Sequence, residues 1–214
     1  MKTILCYGDS NTWGFKSRLS PTKVERYKKS ERWTGILGRV LGRGYSIIEE
    51  GNIGRTTVWD DPLLPYKNGR DTLIPCLDTH QPLDLVIIAL GTNDLKGRFN
   101  KSAIEIAAGA GDLVWIVQRW VPLVGDTPKV VLVAPPPLAN LIGDAAAIFS
   151  GGQQKSRFLA KCYQAVAEER GCEFVDTGEA SLSLSGDGVH FTRQDHRIFG
   201  EYLAKKVANL QEKD

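Results

Sequence analysis

Residues 85–90 read Leu-Val-Ile-Ile-Ala-Leu and residues 130–133 read Val-Val-Leu-Val. A strand with one face in water alternates apolar and polar side chains, and these two do not, so both of their faces must be covered. A parallel sheet held between two layers of helices provides that cover. Three further apolar runs, at 3–7, 45–49 and 173–175, supply candidate strands, and amphipathic helical patterns fall between them near 32–41, 69–79, 102–121, 153–170 and 192–210. In the last of these, Ile198, Tyr202, Leu203, Lys206, Val207 and Leu210 recur at three- and four-residue spacing, the pattern of one buried helical face. Alternating strands and helices predict an α/β fold. It is a three-layer α/β/α sandwich of about five parallel strands joined by right-handed crossovers. At 214 residues with no linker or internal repeat, the chain reads as a single domain over 1–214.

In such a sheet the turns after successive strands share one edge, where open α/β sheets bind ligands. Here those turns read Gly8-Asp9-Ser10, then Gly51-Asn52-Ile53-Gly54-Arg55-Thr56, then Gly91-Thr92-Asn93-Asp94, and last Ser185-Gly186-Asp187-Gly188-Val189-His190-Phe191. Asp9 and Ser10 suit a helix N-cap. They equally suit a nucleophile at a strand end. A serine hydroxyl needs a base to take its proton, and the chain has 3 histidines. His80 falls at a helix end before Pro82, beside the wrong end of the third strand, and His196 falls inside the last helix. His190 alone lies in a strand-end loop, three residues after Asp187, a spacing that places both side chains on one side of a turn. Asp187 can then accept the Nδ1–H of His190 and leave Nε2 facing Ser10. The other reading of the pair is a cap on the last helix.

Ester cleavage also needs donors aimed at the oxygen that becomes negative. The Asn93 amide, the Gly54 N–H and the Ser10 N–H are the candidates. The plainer readings are an Asx-turn for Asn93 and a positive-φ turn glycine for Gly54. Asp9 and Asp94 read as acceptors that fix the two loops. Such a site requires no metal and no organic cofactor. The Pro135-Pro136-Pro137 run opens a long loop reaching about Gly152, placed where site walls belong.

The net charge of +2 gives no reason to expect nucleic acid or a membrane surface as partner. The basic stretch from Lys23 to Arg32 mixes Lys28 and Lys29 with Glu25 and Glu31 and reads as a solvated loop entering a helix. Cys6, Cys76, Cys162 and Cys172 form no CxxC pair, which argues against a zinc site and fits a reduced, cytoplasmic protein. The start, MKTILCYGDS, is too short in apolar residues for a signal peptide, and no later run approaches a membrane span.

Taken in order, Gly8-Asp9-Ser10, Gly54, Gly91-Thr92-Asn93-Asp94 and Asp187-Gly188-Val189-His190 resemble the four blocks of the SGNH (GDSL-like) hydrolases, and the resemblance covers nearly the whole chain. It implies a flavodoxin-like fold and an esterase. By position, Ser10 matches the nucleophile, Gly54 and Asn93 the oxyanion donors, and Asp187 with His190 the acid and base. One departure is Asn11, where the commonest pattern has Leu, and it is expected to alter substrate preference. The segments CYGDSNTWG, EEGNIGRTT, HQPLDLVIIALGTNDLK, VVLVAPPPL and DGVHFT are similar to the arylesterase/acyltransferase subgroup. That likeness implies hydrolysis of short-chain esters of phenols and simple alcohols, with acyl transfer to alcohols or hydrogen peroxide. It implies assembly into homo-oligomers, often octamers, that narrow the site entrance. It also implies that Trp13 lines the acyl pocket, with Phe191 near the entrance.

Other readings fit less well. No GxSxG elbow and no GxxxxGK[ST] phosphate loop is present. A non-catalytic module gripping phosphate at the Gly-Asp-Ser turn leaves Asp187 and His190 unexplained, and Asp9 would repel the anion. A carbohydrate O-deacetylase is the nearer alternative. Trp13, Trp59 and Trp115 suit an apolar acyl or aryl group instead.

Overall fold

A computed structural model describes residues 1–17, 24–184 and 186–211 of the chain. Lys23 of the basic stretch and Ser185 of the last turn lie outside the described residues. Five strands form one sheet: β1 (Lys2–Gly8), β2 (Tyr45–Gly51), β3 (Leu85–Ala89), β4 (Lys129–Ala134) and β5 (Glu173–Asp176). All four pairings are parallel and the spatial order is β2-β1-β3-β4-β5. The helices are α1 (Ser10–Trp13), α2 (Trp33–Leu41), α3 (Gly69–His80), α4 (Ala103–Arg119), α5 (Asp144–Ile148), α6 (Gly152–Ser156), α7 (Leu159–Arg170) and α8 (Arg193–Gln211).

The strands split their side chains between two cores, as the period of two requires. Leu5 and Tyr7 of β1, Val86 and Ile88 of β3, and Val130 and Leu132 of β4 pack beneath α3, α4 and α7. Their alternates, Ile4, Cys6, Leu85, Ile87, Val131 and Val133, pack against Trp33 and Leu37 of α2 and Phe199 and Leu203 of α8. The strand order reverses between β1 and β3, so the turns after those two strands flank the switch point of the sheet.

Three expectations change. The helix expected over 153–170 is two helices, because Ser156 turns aside to accept the Leu138 N–H at 2.9 Å and to donate to the Gln153 carbonyl at 2.7 Å. The buried stripe of α8 is Phe199, Leu203, Ala204 and Val207. Tyr202 and Leu210 pack half-buried at its margin, while the Tyr202 hydroxyl and the Lys206 ammonium reach the Glu179 carboxylate, at 2.7 Å and 3.4 Å. The basic stretch is not simply solvated: Arg32 is buried in a two-pronged pair with Glu49, at 3.0 Å and 2.5 Å.

Candidate active site

β1 ends where Asp9 turns the chain into the short helix α1. The Asp9 carboxylate accepts the Asn11 N–H at 2.9 Å and caps that helix, so Ser10 is its first residue. The cap and the nucleophile readings of Gly-Asp-Ser therefore describe two neighbouring residues. With its own carboxylate over its amino end, α1 offers nothing to a phosphate.

His190 arrives from the far end of the sequence. Its Nε2 lies 3.0 Å from the Ser10 Oγ, and its Nδ1 lies 2.6 Å from the Asp187 Oδ2. The second oxygen of Asp187 accepts the Val189 and His190 N–H groups, both at 2.9 Å. One carboxylate thus holds both the turn and the ring that the turn presents. Burial works to raise the Asp187 carboxyl. The bonds from His190 and Val189 outweigh it and hold the carboxyl well below the ordinary range, so it is ionised.

The long loop after β4 backs this turn, with the Ala139 N–H on the Gly188 carbonyl at 2.9 Å and the Ile142 N–H on the Asp187 carbonyl at 3.3 Å. Gly188 has φ +84°, and a Cβ there would stand 2.6 Å from the Asn140 carbonyl oxygen. Only glycine fits.

Asn93 follows β3 in a short 3₁₀ turn (Asn93–Leu95) and is buried. Its amide Nδ2 donates to the Arg55 carbonyl at 3.0 Å and makes a longer contact with Asp9 Oδ2 at 3.4 Å. Gly54, next to Arg55, has φ +84°. Asp94 reaches across to the second block, where it accepts the Thr57 N–H at 3.0 Å and its hydroxyl at 2.5 Å. Burial pushes Asp94 up to about 6, although the Thr57 bonds oppose it. Asp9 is also raised, again chiefly by burial.

Sequence reasoning missed two neighbours of the base. The Phe15 ring packs on the His190 imidazole with centroids 4.5 Å apart. Asn11 is tied to the backbone of the histidine loop. It is buried, accepts the Phe191 N–H at 2.9 Å, and donates to the Val189 carbonyl at 3.3 Å. It therefore grips the backbone on either side of His190. Its departure from Leu was visible, but what it touches lies at the other end of the chain.

The four expected aromatic contacts fare differently: Trp59 is half-buried against the core, with the Lys101 ammonium 3.7 Å from the centre of its ring. Trp13 closes α1, half-buried, with the Arg26 guanidinium 4.9 Å from its ring. Phe191 is not at an entrance: its ring is buried in the core, edge-to-face with His196 and Phe199. Trp115 sits exposed on α4 beneath Arg119.

The GDSL-like Lipase/Acylhydrolase family profile matches residues 6–198 of the chain. The aryl esterase of M. smegmatis is similar in structure, with TM-score 0.95 and 43% identity over 98% of this chain and 100% of that one. A carbohydrate acetylesterase from Sinorhizobium meliloti matches with TM-score 0.95 and 41% identity over 98% and 100% of the two chains. A carbohydrate acetylesterase family member from the same organism gives TM-score 0.89 and 38% identity over 97% of each. A comparison with curated protein sequences found no match. Among the described residues, no helix is long and apolar enough to cross a membrane.

Proposed function

Because the chain belongs to the GDSL-like lipase/acylhydrolase family, the SGNH hydrolases, and is a carboxylic ester hydrolase, we propose that Ser10, His190 and Asp187 cleave short-chain esters through an acyl-enzyme. The observation that carries this reading is the unbroken series of contacts from the Asp187 carboxylate through both ring nitrogens of His190 to the Ser10 hydroxyl, at 2.6 Å and 3.0 Å.

In this mechanism Ser10 Oγ attacks the ester carbonyl carbon while His190 Nε2 takes its proton. Asp187 steadies the imidazolium and fixes its tautomer. The carbonyl electron pair moves onto oxygen, and the Ser10 and Gly54 N–H groups and the Asn93 amide are the proposed donors to it. The N–H of Ser10 is one of the first in α1, which have no acceptor within the helix. Asn93 has two amide hydrogens: the Arg55 carbonyl keeps one, and the long contact to Asp9 releases the other when charge develops on the substrate. His190 then protonates the leaving alcohol. Water, a second alcohol or hydrogen peroxide attacks the acyl-enzyme by the same route in reverse.

Short-chain aryl and simple alkyl esters are the proposed substrates, supported by the Phe15 ring packed on the His190 imidazole. The M. smegmatis aryl esterase likeness supports the same reading. A nearly equal likeness to a carbohydrate acetylesterase supports the second, sugar O-deacetylation. Comparing kcat/KM for phenyl acetate and acetylated xylan separates them: preference for the aryl ester upholds the first, preference for the polysaccharide the second. Assembly into a homo-oligomer, an octamer by the resemblance, is supported by the exposed Leu63 and Tyr66 beside Leu64, which lies against Gly54. Four unpaired cysteines support a reducing, cytoplasmic setting.

A further inference from the structure

Arg55 is buried beneath the site, yet no carboxylate hydrogen-bonds its guanidinium among the described residues. Its Nη1 donates to the Gly8 carbonyl at 2.9 Å and to the Glu50 carbonyl, and the guanidinium carbon lies 4.0 Å from the centre of the Tyr7 ring. Gly8 closes β1, and Glu50 stands one residue before the end of the adjacent β2, opposite Tyr7; the Gly8 carbonyl also accepts the Asn52 N–H at 3.1 Å. The Arg55 main chain serves the third strand-end turn, because its carbonyl accepts the Asn93 amide at 3.0 Å. Its own N–H is tied to the Asn52 carbonyl at 3.0 Å. Its Nε is buried with no partner. A buried cation with an unused donor works against stability, so this arrangement calls for a reason other than folding.

We propose that Arg55 is a positioning residue for the ester-cleaving site, locking the Asn93 amide and the Ser10 turn at a fixed separation. One side of the residue holds the carbonyl two positions before Ser10. The other holds the amide that serves the developing oxyanion. The link between them is a single residue, held at its own N–H by the Asn52 carbonyl and along its guanidinium by Tyr7. Tyr7 is anchored in turn, its hydroxyl donating to the Gly69 carbonyl at 2.5 Å. Fixing one Asn93 hydrogen on the Arg55 carbonyl leaves the other a single direction to point. Preorganised donors of this kind act on the transition state and not on the bound ester, so the effect belongs in kcat.

The proposal rests on reading Asn93 as an oxyanion donor, and a double-mutant cycle tests the two separately. Steady-state kinetics on p-nitrophenyl acetate are measured for the native enzyme, Arg55→Met, Arg55→Lys, Asn93→Ala and Arg55→Met with Asn93→Ala. Losing an oxyanion donor lowers kcat about a hundred- to thousandfold, and Arg55→Met is expected to lower it roughly ten- to a hundredfold with KM within about twofold. Arg55→Lys keeps a cation and a donor for the Gly8 carbonyl and falls between the two. The double variant is no slower than Asn93→Ala. Losses that multiply in the double variant, or a loss carried by KM, overturn the role of Arg55 alone. Full activity in Asn93→Ala overturns the oxyanion reading itself. If Arg55→Met does not fold, Arg55→Lys with Asn93→Ala completes the same cycle, and multiplied losses there count equally against the proposal.

Discussion

His190 Nε2 stands 3.0 Å from Ser10 Oγ although 180 positions of sequence separate them. Two features bring them together. The sheet puts every strand-end turn on one edge. Asn11 then holds the backbone on both sides of His190 to the helix that carries Ser10.

That second feature gives a mutational expectation. Asn11→Ala leaves the Val189 carbonyl and the Phe191 N–H without their partner, at a cost of about 1–3 kcal/mol of stability. It also frees the histidine backbone to drift, so kcat falls about tenfold or more while KM hardly moves, since small misplacements of a catalytic group are expensive. Thermal unfolding and steady-state kinetics on one preparation check both. A fully active variant would remove Asn11 from the account.

Asp187 is ionised in the folded protein and fixes the tautomer of His190. Asp187→Asn keeps the shape but presents the wrong hydrogen-bonding partner to Nδ1. The expected loss in kcat is about ten-thousandfold, with substrate binding nearly intact. Pre-steady-state release of p-nitrophenol shows whether acylation is the step that slows.

Gly188→Ala forces a Cβ against the Asn140 carbonyl and strains a residue at φ +84°. Its cost is about 1–3 kcal/mol, and it is expected to loosen the Asp187–His190 turn from the loop after β4. Both the melting temperature and kcat should fall. A variant that lost stability alone would mean the turn keeps its shape without that loop.

His196 gives a pH dependence of folding that is independent of catalysis. It is fully buried, its Nδ1 accepts the Trp33 N–H at 3.2 Å, and burial pulls its pKa down to about 3, with the Asp195 charge opposing and Arg32 adding. The folded state keeps it neutral while the unfolded chain takes up a proton near pH 6.5. Its contribution is therefore complete above about pH 6.5 and is lost progressively as pH falls toward 3, on the order of a few kcal/mol. His196→Gln, which keeps an acceptor, should flatten the melting-temperature profile between pH 6.5 and 4. Parallel profiles for the two proteins would show that other groups govern acid unfolding.

Much of this was legible in the chain. The runs at 85–90 and 130–133 pointed to a doubly covered parallel sheet because an apolar residue at every position needs cover on both faces. The first and third turns were the most legible, because Gly8-Asp9-Ser10 and Gly91-Thr92-Asn93-Asp94 each directly follow an apolar run. The parts that stayed hidden are contacts between distant segments. Nothing near Asn11 reveals that it bonds either side of His190, and nothing near Phe15 places its ring on the imidazole. The break between α6 and α7 depends on Ser156 meeting Leu138, and the burial of Arg32 on Glu49 across from it. Phe191 was expected near the entrance only by likeness to the arylesterase subgroup. Its burial against Phe199 is a contact with α8 that the local sequence does not show.

The most direct test is the steady-state hydrolysis of p-nitrophenyl acetate by the native enzyme, Ser10→Ala, His190→Ala and the double variant. If the two side chains act as one unit, each single change lowers kcat by roughly a millionfold and the double change lowers it little further. Substantial activity in Ser10→Ala, or losses that multiply in the double variant, would refute the proposed nucleophile and base.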